Sequence, residues 1–151
     1  MLVFITGATS GIGKSTAGVF AKNGSDLIVT GRRQERLDAL KNDLESTYKI
    51  TVTTLCFDIR KFQDVEAAIN SLPEEKKQID VLVNNAGLAA GLSSIQEGAI
   101  SHWERMIDTN IKGLLYATKI ISNLMIARGK GHIVNIGSVA GKEVYANGNV
   151  Y

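Results

Sequence analysis

Five short apolar runs alternate with stretches whose apolar residues recur at helical spacing, and this alternation limits the chain to very few folds. Strands are expected at Leu2–Thr6, Leu27–Thr30, Thr51–Phe57, Asp80–Asn84 and His132–Ile136. Helices are expected near Ile12–Asn23, Gln34–Tyr48, Phe62–Ser71 and Ser101–Arg128. The strand runs are continuously apolar, the pattern of strands with helices on both sheet faces. A parallel, doubly wound α/β sheet follows. Gly24 ends the first helix, Gly129 and Gly131 end the last, and Ser101-His102-Trp103-Glu104 reads as a capping box. No repeat or linker interrupts the chain, whose single proline, Pro73, stands in a charged turn; 151 residues fit one domain.

The helix Ser101–Arg128 carries two apolar stripes. One is Trp103, Ile107, Ile111, Leu114 and Leu115; the other is Met106, Gly113, Ala117, Ile120 and Leu124. Such a helix is deeply buried, or one stripe meets another subunit. The net charge of +2 is small and dispersed, as in Arg33-Gln34-Glu35-Arg36, which argues against a nucleic-acid partner. Cys56 is the single cysteine and stands in an apolar run, so it is expected to be buried, inert and outside any disulfide. That suits a reducing cytoplasm. The opening Met1-Leu2-Val3-Phe4-Ile5 lacks a basic flank and is too short for a signal peptide or a membrane span. His102 and His132 are not spaced as paired ligands, and no metal is expected.

Strand Leu2–Thr6 runs into Gly7-Ala8-Thr9-Ser10-Gly11-Ile12-Gly13 and then into a helix. Gly7 permits a tight turn, Gly11 lets an anion approach the backbone, and Gly13 lets the helix pack closely on the sheet. The helix N-terminus adds free N–H groups and about half a positive charge. A rival lies in the same stretch. Ala8 to Ser15 is a relaxed phosphate loop, in which Lys14 would reach phosphates and Ser15 would hold magnesium, with Asp58 as a second magnesium residue. Against it, Ala8 stands where the strict motif has glycine.

At five places in register the chain resembles the short-chain dehydrogenase/reductase family. Thr6–Gly13 is similar to its Thr-Gly-x-x-x-Gly-x-Gly turn, and Asn84-Asn85-Ala86-Gly87 to its motif after the fourth strand. Asn110 is similar to its helical asparagine, Ser138 to its catalytic serine, and Tyr151, thirteen residues on, to its catalytic tyrosine. Gly31-Arg32-Arg33-Gln34-Glu35-Arg36-Leu37 and Gly148-Asn149-Val150-Tyr151 resemble the 3-hydroxy acid dehydrogenases within it, which act on serine and allo-threonine. The resemblance implies a Rossmann-type fold with strand order 3-2-1-4-5 and a nicotinamide cofactor across the carboxyl ends of the strands. Gly7, Thr9, Ser10, Gly11, Ile12 and Gly13, then Asn85, Ala86, Gly87 and Tyr151, would contact that cofactor. Asp58 would meet its adenine amino group, with Ile59 covering the ring, although a carboxylate there could equally cap the next helix.

At the end of the second strand an NAD enzyme usually carries a carboxylate for the ribose hydroxyls, and here the chain has Thr30-Gly31-Arg32-Arg33. Arginine can pair bidentately with a 2′-phosphate, so Arg32 and Arg33 point to NADP. The resemblance makes Tyr151 the proton donor or acceptor and has Ser138 bond the substrate oxygen. It also gives Asn110 a place in a water-linked relay. Tyr145, seven residues after Ser138, reads as a substrate-pocket wall. A tyrosine working near neutrality needs its pKa lowered by about 3 units, roughly 4 kcal/mol. The family supplies this in part with a lysine four residues after the tyrosine, and the sequence stops before that position. We therefore expect residues 1–151 to be the N-terminal, cofactor-binding part of one domain, truncated after the fifth strand and inactive or nearly so alone. The expected partners are a small-molecule substrate and further copies of the chain, joined through the Ser101–Arg128 helix as a homotetramer. Two other readings accompany the phosphate loop: a different NADP-dependent carbonyl reductase of the family, and an NADP-binding sensor without turnover.

Overall fold

The computed structural model describes residues 1–151. Its strands are β1 (Leu2–Ile5), β2 (Asp26–Gly31), β3 (Val52–Cys56), β4 (Val81–Asn84) and β5 (His132–Asn135), in one sheet of order β3-β2-β1-β4-β5. All four neighbouring pairs are parallel, as the alternation predicts. Parallel neighbours need crossovers, and these are α1 (Gly11–Lys22), α2 (Gln34–Thr47), α3 (Phe62–Asn70) and the helical run that begins with α4 (Ile100–Met106) and ends with α5 (Leu114–Ala127).

Side chains alternate across a strand, and β1 feeds two cores in this way. Val3 and Ile5 pack on one face with Ala17 and Ala21 of α1 and Leu37, Leu40 and Leu44 of α2. Leu2 and Phe4 pack on the other with Val65 and Ile69 of α3 and Ile121 and Met125 of α5. Burying each large side chain stabilises the fold by roughly 1.5–3 kcal/mol, which explains the unbroken apolar runs of the central strands. The Phe62 and Tyr116 rings meet edge to face at 5.3 Å, fastening α3 to α5.

The outer strands depart from expectation. Of β3 only Val52 is buried, and β5 is half-exposed, because each lies at a sheet edge with less helix above it. Cys56, the last residue of β3, is consequently exposed and not buried. The strands also close earlier than expected: Thr6, Phe57 and Ile136 already belong to the turns that leave the sheet.

The long helix departs further. A seven-residue π-helical stretch, Ile107–Gly113, joins α4 to α5. No capping box forms, because α4 starts at Ile100 behind Ala99 and Ser101 is already inside its first turn. One expected stripe is inward, with Met106, Gly113 and Ala117 buried and Ile120 and Leu124 half-buried. The other faces out, with Ile107, Ile111 and Leu115 exposed. The helix is thus buried on one side only. None of the helices is long and apolar enough to cross a membrane.

At the amino end of the sheet, Asp80 ties three elements together. It accepts from the Leu2 amide at 3.0 Å and from Arg128 Nη2 at 2.8 Å, while Arg128 Nη1 donates to the Ile79 carbonyl at 2.9 Å. Burial pushes the Asp80 carboxyl up, but the Leu2 amide, Arg128 and Lys130 outweigh it and hold the group below its ordinary value. A carboxyl depressed in the folded state stabilises fully above its unfolded pKa of about 3.9 and loses that contribution as pH falls through the folded value. Arg128→Ala should therefore cost about 1–2 kcal/mol in urea unfolding at pH 7, and less at pH 3. Equal costs at the two pH values would remove Asp80 from the explanation.

Candidate active site

The turn after β1 is shaped by what crowds behind it. Gly7 has φ +65°, and a Cβ there would lie 2.8 Å from the Ala86 Cα. A Cβ on Gly13 would overlap Asn85 Nδ2 and come 2.5 Å from the Gly7 carbonyl oxygen. Backbone therefore meets backbone where the turn, α1 and the segment after β4 converge. Thr6 fastens them: its Oγ1 accepts from the amides of Asn85 and Ala86, both at 3.0 Å. Asn85 Nδ2 donates back to the carbonyls of Thr6 at 2.9 Å and Gly7 at 3.0 Å.

Helix α1 begins at Gly11 with no side-chain cap from Ser10, and the amides of Gly11, Ile12 and Gly13 donate to no group of the protein. They leave the positive end of the helix dipole open to an anion. A cleft of about 510 Å³ opens in front of them, across the carboxyl ends of the strands. The chain winds from β1 out to β3 and then crosses back to β4, so the cleft lies at the switch point where open α/β sheets bind ligands.

Most of the expected cofactor residues line this one cleft: Gly7, Thr9, Ser10, Gly11, Ile12, Arg32, Arg33, Asp58, Ile59, Asn85, Ala86, Gly87 and Tyr151. Gly13 does not; it supports the turn from behind. Arg32 and Arg33 are exposed at the end of β2, and no carboxylate lies within ion-pair distance of either. Asp58 does not cap α3, whose cap position is Lys61. Instead it accepts from the Arg60 amide at 3.1 Å and grips the Arg60 guanidinium at 2.9 and 2.5 Å. The Arg60 side-chain bonds hold its carboxyl below the ordinary range against the opposing effect of burial, with Arg32 adding a weaker attraction.

A second cleft of about 400 Å³ adjoins the first and contains Asn110, Ser138 and Tyr151. Tyr151 lines both. Asn110 lies in the π-helical stretch and bonds both backbone groups of Leu88: Nδ2 donates to the carbonyl at 2.8 Å and Oδ1 accepts from the amide at 2.9 Å. Ser138 Oγ accepts from the Ala140 amide at 3.2 Å, which leaves its proton free to donate. Asn84 backs the same cleft and donates to Thr118 Oγ1 and Asn135 Oδ1, both at 2.9 Å, while its own Oδ1 is buried without a partner. Tyr145 lines neither cleft, because its ring lies against Gly148.

Phe57, Leu88, Thr109, Ile136 and Gly137 also line the first cleft and were not foreseen. Phe57, Ile136 and Gly137 were accessible to sequence reasoning, since they follow β3 and β5 at the end of the sheet where ligands bind. The phosphate-loop arrangement does not form. Lys14 and Ser15 lie within α1 and outside both clefts.

Five parallel strands wrapped by helices, with a glycine turn and a cleft at their carboxyl ends, define a Rossmann-type, dinucleotide-binding class of α/β fold. The chain belongs to the short chain dehydrogenase family, which it matches over residues 1–151. It is 49% identical over 151 residues to the NADP-dependent 3-hydroxy acid dehydrogenase of Salmonella typhi, covering 100% of this chain and 59% of that protein. It is 44% identical to sulfoacetaldehyde reductase 2 of Chromohalobacter salexigens, covering 99% of this chain and 59% of that one. Among solved structures, the closed form of serine dehydrogenase complexed with NADP+ superposes with a TM-score of 0.91 at 46% identity, covering 100% of this chain and 59% of that chain. The chain spans about three fifths of the length of the curated relatives it matches.

Proposed function

We propose that the whole protein transfers a hydride between NADP(H) and a small alcohol or carbonyl compound, of the 3-hydroxy acid class that includes serine and allo-threonine. The observation that carries this reading is a single cleft running from the unpaired Arg32 and Arg33, past the free amides of α1, to Tyr151. The glycine cradle fits a pyrophosphate, since a side chain at Gly7 would meet Ala86 and one at Gly13 would meet Asn85. Arg32 and Arg33 would hold the 2′-phosphate, Asp58 would take the adenine amino group, and Ile59 would cover the ring. When bound, the nicotinamide supplies or accepts the hydride.

The chain's own residues handle the proton and the oxygen. Tyr151 gives its phenol proton to the carbonyl oxygen in reduction, leaving a phenolate, and as the phenolate takes the proton from the alcohol in oxidation. The Ser138 hydroxyl donates a hydrogen bond to the same oxygen as negative charge develops on it. Asn110 supports this pair by holding Leu88, and with it the wall common to both clefts. Copies of the chain meet through the exposed stripe of Ile107, Ile111 and Leu115 in a homotetramer. A reducing cytoplasm would keep the exposed Cys56 thiol reduced.

Titration of the protein with NADPH, NADH and Mg-ATP, followed by nicotinamide fluorescence, tests the reading. Tight NADPH binding, weak NADH binding and no competition from Mg-ATP are expected, followed by turnover of serine or another 3-hydroxy acid with NADP+. Binding without turnover of any such compound would favour a sensor. Absence of NADPH binding would end the proposal.

A further inference from the structure

We infer that Asn149 is a positioning residue for Tyr151, pinning the tyrosine's segment to the loop that follows β4. The inference rests on the reading of Tyr151 as the proton donor. Tyr151 is 42% exposed and makes no hydrogen bond of its own, yet it stands where the two clefts join. Within residues 1–151 its segment is tied to the fold through its neighbours.

Every hydrogen bond that links residues 144–151 to the rest of the protein goes to Ser93 or Ser94. Asn149 Nδ2 donates to the Ser93 carbonyl at 2.8 Å and also lies 3.4 Å from Ser93 Oγ and 3.3 Å from the Ser94 carbonyl. An amide has two hydrogens, so one serves the Ser93 carbonyl and the other is shared between the two longer contacts. The Ser93 amide donates to the Asn147 carbonyl at 3.0 Å, and Ser93 forms a parallel bridge with Gly148. Asn147 adopts φ +64°, the left-handed conformation that asparagine tolerates better than most residues, which turns the chain toward this contact.

The receiving loop is itself held. Asn110 grips Leu88 at its start, and Ser94 Oγ donates to Glu97 Oε2 at 2.8 Å. Residues 88–94 therefore form a short strut between Asn110 and Asn149. One end is fixed to the π-helical stretch and the other to the tyrosine segment, so the two are set relative to each other through backbone. Within residues 1–151, removing the Asn149 amide leaves the Ser93 amide as the one hydrogen bond between the tyrosine segment and this loop.

The test compares Asn149→Ala, Asn149→Asp, Ser93→Ala and Tyr151→Phe in the whole protein. A catalytic group displaced by about 1 Å can cost a hundredfold, so Asn149→Ala should lower kcat by about ten- to a hundredfold. Its NADPH Kd should stay within about twofold, because the pyrophosphate and 2′-phosphate contacts lie elsewhere. The KM for the substrate should change by less than about threefold, so that the loss falls on kcat. Asn149→Asp keeps the shape but turns acceptors onto carbonyls, and should act in the same direction and more strongly. Ser93→Ala removes only a 3.4 Å contact and should change kcat by less than about twofold.

Wild-type kcat in both Asn149 variants, with Tyr151→Phe inactive, would overturn the inference and spare the function. Parallel losses of kcat and NADPH binding would also overturn it, since they indicate general damage to the fold. Full turnover by Tyr151→Phe would sink the role of Tyr151, and that of Asn149 with it.

Discussion

Replacing Tyr151 with Phe is expected to lower kcat by about 10²–10⁴-fold, the range for removing a positioned general acid or base. That corresponds to about 3–5 kcal/mol of barrier. The substitution deletes one oxygen and keeps the ring, so the apolar walls of both clefts stay in place. The lost hydroxyl makes no hydrogen bond within the protein, and folding stability should barely change. NADPH affinity should also persist, because its phosphate-binding groups are distant in the chain and held by Thr6 and Asn85. Single-turnover reduction with bound NADPH isolates the chemical step. A variant that reduces substrate at the wild-type rate would mean that another group, or water, supplies the proton.

Replacing Arg32 and Arg33 together with Ala should weaken NADPH binding by about 30- to 1,000-fold. Charge-assisted bonds contribute about 1.5–3 kcal/mol each, and the exposure of both arginines reduces the sum to about 2–4 kcal/mol. NADH lacks the phosphate, so its affinity should change by less than about threefold. Fluorescence titrations at two ionic strengths provide a further check. The wild-type preference for NADPH should shrink at high salt, since exposed charges are screened. Equal losses for the two nucleotides would show that the arginines shape the turn rather than read the phosphate.

The central strands were legible because β1, β2 and β4 are covered on both faces, and that coverage writes an unbroken apolar run into the sequence, whereas their order came from the family resemblance. Being an edge strand is different, since it depends on which strands lie alongside. Cys56 illustrates this: its run looks apolar locally, but the thiol ends an outer strand and is exposed. The π-helical stretch was equally hidden, because one extra residue in a turn barely disturbs the apolar spacing over seven residues. Ser101 matched the side-chain pattern of a capping box, yet backbone geometry started the helix one residue earlier. Tyr145 was assigned to the substrate pocket from its nearness to Ser138 along the chain, whereas the backbone turns its ring onto Gly148. The glycine turn and the arginines could be placed because each directly follows a strand, and the Asn85–Gly87 segment because it resembles the family's motif, although the turn itself is fastened by Asn85 across the chain. The partnership of Asp58 with Arg60 was also local, two residues apart, and was overlooked in favour of the carboxylate alone.

The placement of β1 at the centre of the sheet has a consequence for how the chain is made. β1 leaves the ribosome before β2, which can join it early, since Val3 lies beside Leu27. Its other edge must wait for β4, because Val3 also lies beside Val81. At roughly 5–20 residues per second, those 78 residues take about 4–16 s to appear. During that interval the most apolar strand has one unpaired side. Nascent chains stalled before residue 81 are the form of this protein most open to chaperone binding and to mispairing with a neighbour on the same message.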